Sequence, residues 1–198
     1  MTRRRLAAAV AAALLAPATS ALASAPAIQQ HVLPNGLTVL VVEDHALPLM
    51  TVEIAAKNGS YTEPPEYNGL SHLYEHMFFK ANKSYPNQEA WLERSQALGA
   101  LWNGTTNTER VNYFFTTTSD HEKDIMQFMH DAIVYPLFDP KEFERERVVV
   151  TGEMDRNEAN PFYHFSHTVD QRVWWKYPSR KDPLGSRATT VFDLAGRE

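Results

Sequence analysis

Cysteine is absent from this 198-residue chain, which excludes disulfide bridges and thiolate metal ligands and leaves any metal to His, Asp or Glu. Long apolar runs are scarce too. The longest, residues 6–16, falls short of the roughly 20 residues that a membrane-crossing helix needs. Lys and Arg gather in no patch interleaved with aromatic side chains, so nucleic acid is excluded as an expected partner. The formal net charge of −5 agrees with that.

What is present begins with an export pattern. Arg3, Arg4 and Arg5 precede the Ala- and Leu-rich run, and Ala21-Leu22-Ala23 has the small-x-small form of a cleavage site. Residues 1–23 are therefore expected to be a secretory signal, and the mature protein to be periplasmic or secreted with no stable membrane span. A tether through an uncleaved signal is the alternative. Without the three arginines the formal charge moves from −5 to −8. The remaining 24–198 amount to roughly 175 residues, the size of one domain with a real core.

Periodicity then outlines an α+β fold with a mostly antiparallel sheet packed with helices, since strands and helices alternate without a regular βαβ rhythm. Extended runs at 30–33 and 37–43 flank Pro34-Asn35-Gly36, a hairpin turn signal. Residues 49–56 read as a strand, 57–68 as a polar connection, and a helix is expected from Gly69 with its histidine-bearing face toward the sheet. A helix over 87–98 precedes strands at 100–106 and 111–118, the second alternating with Val111, Tyr113 and Phe115 on one face. Ser119 and Glu122 fit a capping box. The helix that follows carries Ile125, Phe128, Met129, Ala132 and Ile133 as a buried stripe and ends at Tyr135. Further helices are expected over 141–157 and from Pro161, with a loop from Pro178.

The chemistry sits in Gly69-Leu70-Ser71-His72-Leu73-Tyr74-Glu75-His76. On a helix, His72 and His76 at i and i+4 share one face and reach one metal, with Glu75 close enough to act on a metal-bound water. The order His-x-x-Glu-His is that of the inverted zincins. A catalytic zinc takes three protein ligands and keeps one position for water, so a third ligand is required. Glu146 and Glu153 lie seven residues apart on the helix expected over 141–157 and share a face. Spacing leaves open which of the two binds.

Together the motif and Glu146-Arg147-Val148-Val149-Val150-Thr151-Gly152-Glu153 resemble the M16 metallopeptidases, the pitrilysin, insulinase and mitochondrial processing peptidase group, from about Leu33 to Asn160. The family's third ligand lies on a helix of this form, and Glu153 stands 77 residues after His76, close to its usual separation. The resemblance implies a single zinc held by His72, His76 and Glu153, Glu75 as general base, Glu146 as an acidic group that supports catalysis, and Asn103 on an edge strand that holds substrate backbone. It implies a zinc endopeptidase acting on unfolded peptides. Ser71 and Tyr74 depart from the family's small and apolar residues, changes that touch packing rather than ligation.

Bacterial-type members carry two homologous halves that close on substrate, so a second M16-type half or subunit is an implied partner. The chain is expected to be the first half only, stopping before the closing strands of that module. Two readings follow: a zinc endopeptidase module, or a non-catalytic fragment or partner subunit that binds zinc without clamping substrate. Elsewhere, His31, His45 and His130 fit surface or packing roles, and His164 and His167 at i, i+3 are read as an ordinary helical pair. Phe162, Tyr163, Phe165 and the Trp174-Trp175 pair, at helical spacing, are read as core, with the lining of a substrate chamber as the alternative.

Overall fold

The computed structural model describes residues 27–176 and 182–187. The expected signal, residues 1–23, and the expected break in the module lie outside them. Contacts divide the chain into two compact units, with the boundary in sequence between Leu47 and Pro48.

In the first unit, β1 (Ile28–Val32) and β2 (Thr38–Val42) form an antiparallel hairpin. Its turn closes where Pro34-Asn35-Gly36 predicts. Gly36 takes φ +85° and donates its N–H to the Leu33 carbonyl at 2.9 Å, a backbone conformation that costs glycine nothing.

The second unit is built on three antiparallel strands, β3 (Leu49–Ala56), β4 (Leu101–Thr106) and β5 (Val111–Thr118), in the order β3-β5-β4. Pairing sets Phe115 opposite both Val52 and Trp102, and Tyr113 opposite Ile54 and Gly104. Alternation along β5 behaves as its sequence predicts: Val111, Tyr113, Phe115 and Thr117 are buried.

Among the described residues five helices accompany this sheet: α1 (Leu70–Phe78), α2 (Gln88–Ala97), α3 (Glu122–Val134), α4 (Pro140–Glu158) and α5 (Pro161–Val173), the last packed on α4. The main core joins Phe78, Phe79, Trp91, Tyr113, Phe115 and Phe128 with the apolar stripe of α3. Phe78 stacks on Tyr113 with centroids 4.1 Å apart, and Phe115 meets Phe128 edge-on at 5.5 Å. Each such side chain, fully buried, contributes about 1.5–3 kcal/mol through apolar area. A smaller cluster of Leu73, Val150 and Met154 seals α1 against α4.

Two expectations are corrected. The capping box at Ser119 does not form: Ser119–His121 make a short 3₁₀ turn, and α3 begins at Glu122 with no side-chain cap. The reason is that the Ser119 N–H already donates to the Pro48 carbonyl at 3.0 Å, so the glutamate cannot bond to it. The aromatic residues of α5 are not core. Phe162 and Phe165 are 79% and 70% exposed, and no residue of α5 is buried. A periodic stripe asks for a cover and does not supply one. The histidine face of α1 turns toward β4 of the sheet, as expected, and toward α4 as well.

Candidate metal centre

Helix α1 starts where the chain needs a residue tolerant of the left-handed region. Gly69, at its N-cap, has φ +103° and offers no side chain to the helix's free N–H groups. Glu63 supplies that cap from outside. Its Oε2 accepts from Gly69 N at 2.9 Å and its Oε1 from Ser71 N at 2.7 Å. A buried carboxylate at a helix N-terminus also meets the positive end of the helix dipole. The opening of the motif helix is thereby fixed in place.

Helix α4 is set just as firmly. Asp139 accepts from Lys141 N and Glu142 N, each at 3.0 Å, with Pro140 at the first helical position. Glu142 reaches back to accept from Ala81 N at 3.2 Å, just past the end of α1. Val150, fully buried, packs behind the carboxylates.

Between these helices His72, His76 and Glu153 converge. His72 Nε2 and His76 Nε2 lie 3.4 Å apart, and Glu153 Oε2 stands 3.5 Å from the first and 3.7 Å from the second. Three ligand atoms bound tetrahedrally to one zinc at about 2.0–2.2 Å stand about 3.3–3.6 Å from one another. The trio therefore fits zinc in both donor type and spacing. Among the described residues no second such group forms. His164 instead bonds the Glu158 carbonyl, and His167 bonds Gln171.

Electrostatics agree with ligation. Burial, and next the neighbouring His76, push the His72 pKa down from 6.5 to about 4, against the opposing charges of Asp182 and Glu63. A neutral imidazole is what a metal requires. Its Nδ1 is buried, and the Leu184 backbone approaches the ring without the geometry of a full hydrogen bond.

Glu146 lies on the far side of His76, its Oε2 3.0 Å from Nδ1. Lys80 Nζ sits 2.7 Å from the other oxygen. Burial works to raise the Glu146 pKa, but the hydrogen bonds from His76 and Lys80 and the Lys80 charge outweigh it and leave it lowered. An ionised Glu146 accepts the Nδ1 proton, which leaves the Nε2 lone pair facing Glu153 and His72.

Glu75 faces β4 instead. The Thr106 hydroxyl donates to its Oε2 at 2.5 Å. Gly104 lets the carboxylate approach the strand closely: a Cβ there would lie 2.7 Å from Glu75 Oε1. Burial raises the Glu75 pKa above the ordinary carboxylate range, with the Thr106 bond opposing.

These groups line a cleft of about 520 Å³ whose lining also includes Trp102 and Asn103. Asn103 is exposed on β4, with its Oδ1 accepting from Gly104 N at 2.9 Å. Every sequence-predicted site residue thus reaches this cleft. Three others that matter were not singled out: Glu63, Thr106 and Lys80. Only Lys80 left a signal, since it follows His76 by four residues and so extends the His72, His76 face by one turn.

Residues 38–180 match the family model described as insulinase, peptidase family M16. The chain is 28% identical over 157 residues to the insulin-degrading enzyme of Bos taurus, across 79% of this chain and 15% of that protein. To protease 3 of Escherichia coli (strain K12) it is 29% identical over 164 residues, across 83% of this chain and 17% of that one. The crystal structure of pitrilysin superposes with a TM-score of 0.73 at 26% identity, covering 85% of this chain and 18% of that chain. The chain thus spans less than a fifth of the length of the relatives it matches. With the α+β fold shared and the family model matched across most of its length, this chain belongs to the insulinase family of peptidases, family M16.

Proposed function

We propose that this chain is the metal-bearing module of a zinc endopeptidase that hydrolyses unfolded peptides. His72, His76 and Glu153 are its ligands, Glu75 its general base and Glu146 the acceptor that orients His76. The observation that carries the reading is the spacing of the three ligand atoms, 3.4 to 3.7 Å, with a buried carboxylate beside them. Zinc in such a site polarises the scissile carbonyl and acidifies water.

The chain's own residues do the rest. Glu75, steadied at one oxygen by Thr106, takes a proton from the attacking water and hands it to the leaving amine. Its raised pKa brings it closer to neutrality than an exposed glutamate, which suits both halves of that transfer. Among the described residues β4 has no strand on its outer edge, so extended substrate adds there through main-chain hydrogen bonds, with Asn103 at the contact. Such pairing is largely indifferent to side-chain identity. Residues 1–23 direct export to the periplasm or outside, and residues 24–198 form the module. A second M16-type half completes the clamp on substrate.

Glu75→Gln tests the assignment. The variant is expected to bind one zinc as the parent does and to lose about 10²- to 10⁴-fold in peptide hydrolysis, whereas His72→Ala, His76→Ala and Glu153→Ala lose metal and hydrolysis together. Full hydrolysis by pure Glu75→Gln protein would remove the base. A parent chain that binds zinc but cleaves only when a second half is added identifies it as a partner subunit.

A further inference from the structure

Lys80 takes part in nothing that the proposed reaction requires of it directly, yet it is held as tightly as the ligands. Its side chain is 11% exposed, as is that of Glu146, and the two meet at 2.7 Å. Among the described residues it is the sole Lys or Arg lining a cleft that also holds Glu75, Glu146 and Glu153. Burying a long ammonium side chain costs both rotamer freedom and hydration. A surface pairing elsewhere would avoid that cost.

The geometry around Glu146 shows what the burial achieves. The carboxylate spends one oxygen on each neighbour: Oε1 meets Lys80 Nζ, and Oε2 meets His76 Nδ1 at 3.0 Å. A carboxylate with both oxygens engaged has one orientation, and with its charge matched it stays in the interior as an acceptor. Opposite it, the His76 ring has two possible proton positions. Only the Nδ1–H form leaves Nε2, 3.4 Å from His72 Nε2 and 3.7 Å from Glu153, with a lone pair to give. Without Lys80, Glu146 is a buried carboxylate whose charge is unmatched, and turning toward solvent relieves it. The His76 ring then loses the acceptor that selects its tautomer.

We propose that Lys80 is a positioning residue: it holds Glu146 against His76 and thereby fixes the ring in the tautomer whose Nε2 is free for the metal. The chain Lys80–Glu146–His76 runs from the end of α1 to α4 and back to α1. It locks the ring from behind, while the Leu73, Val150 and Met154 cluster locks the helices. This rests on the zinc reading for its purpose, but the lock itself is a property of the metal-free chain.

The test is side-chain ¹⁵N NMR of the histidines in the metal-free 198-residue protein, with zinc titration of the same samples. In the parent, His76 is expected almost wholly as Nδ1–H. In Lys80→Met and Lys80→Gln, made together so that a folding failure of one leaves the other, the Nε2–H share rises roughly tenfold or more, the worth of one charge-assisted hydrogen bond. Lys80→Arg restores the parent tautomer. Added to Glu146→Gln, Lys80→Met changes the tautomer ratio no further, because the two act in series. A parent-like His76 in both folded Lys80 variants overturns the proposal, and so does a full additional shift in the double variant. Should the parent show the expected tautomer and bind no zinc, the proposed function falls while the positioning role stands.

Discussion

Val150→Ala measures how strongly packing holds the two halves of the candidate metal centre together. Val150 lies four residues after Glu146 and three before Glu153, between the carboxylates on one face of α4, and it is fully buried against Leu73 of α1. The substitution removes two methyl groups, worth about 0.8 kcal/mol each, or about 1.6 kcal/mol. The cavity left behind adds roughly 1 kcal/mol at about 24 cal/mol per Å³ over some 40 Å³. A loss of about 2–3 kcal/mol is therefore expected in urea unfolding of the metal-free chain, followed by tryptophan fluorescence. Val148→Ala is the control on the same helix. Val148 is 72% exposed, so its truncation should stay within about 0.5 kcal/mol. Zinc at about a thousand times its dissociation constant should then add about 4 kcal/mol to parent and variant alike. If the two valines cost the same, the small apolar cluster does not hold the α1–α4 seam.

Three further outcomes are expected. Glu63→Ala strips the charged acceptor from two N–H groups at the start of α1 and should cost about 2–3 kcal/mol, read as a melting temperature lower by roughly 5–10 °C; a shift under about 2 °C would deny Glu63 that role. The metal-free chain should weaken as pH falls from 6.5 to about 4, because unfolded His72 takes up a proton in that window and buried His72 does not. That shift corresponds to about 3 kcal/mol, and urea titrations of parent and His72→Gln should show the variant's stability falling less over the same range. Thr106→Val removes the hydrogen bond that lowers the Glu75 pKa, leaving burial unopposed by it. The acidic limb of kcat/KM should then move to higher pH, and an unmoved limb in an active variant would argue against Glu75 as the base.

Much of this molecule is legible in one dimension because its signals are local. Asn35-Gly36 sets a hairpin, alternation in β5 sets a half-buried strand, and the spacing of His72 and His76 sets two imidazoles on one helix face. Each depends on backbone geometry over a single turn or pleat, which the chain encodes wherever it lies in space. Spacing also put Glu146 and Glu153 on one face of α4. It could not divide their places, because that depends on how far along α1 the helix docks, a distance set by the Glu142 bond to Ala81 and by Val150 against Leu73.

The same limit explains what went astray. A capping box is a local pattern, but the Ser119 N–H was claimed by Pro48, some seventy residues away, when β3 paired with β5. The apolar stripe of α5 is periodic like that of α3, yet α3 found the sheet, whereas among the described residues Phe162, Phe165, Val169 and Val173 of α5 stay exposed. Burial is a property of two surfaces, and a sequence pattern describes one of them. By itself, then, the sequence determined that two imidazoles share one helix face with a glutamate beside them, and that two further carboxylates share a face of a second helix. Tertiary structure decided that Glu153 closes the trio, that Glu146 and Lys80 stand behind His76, and that Thr106 and Gly104 receive Glu75. Those roles are distances of a few ångströms between elements far apart in the chain, and only packing sets them.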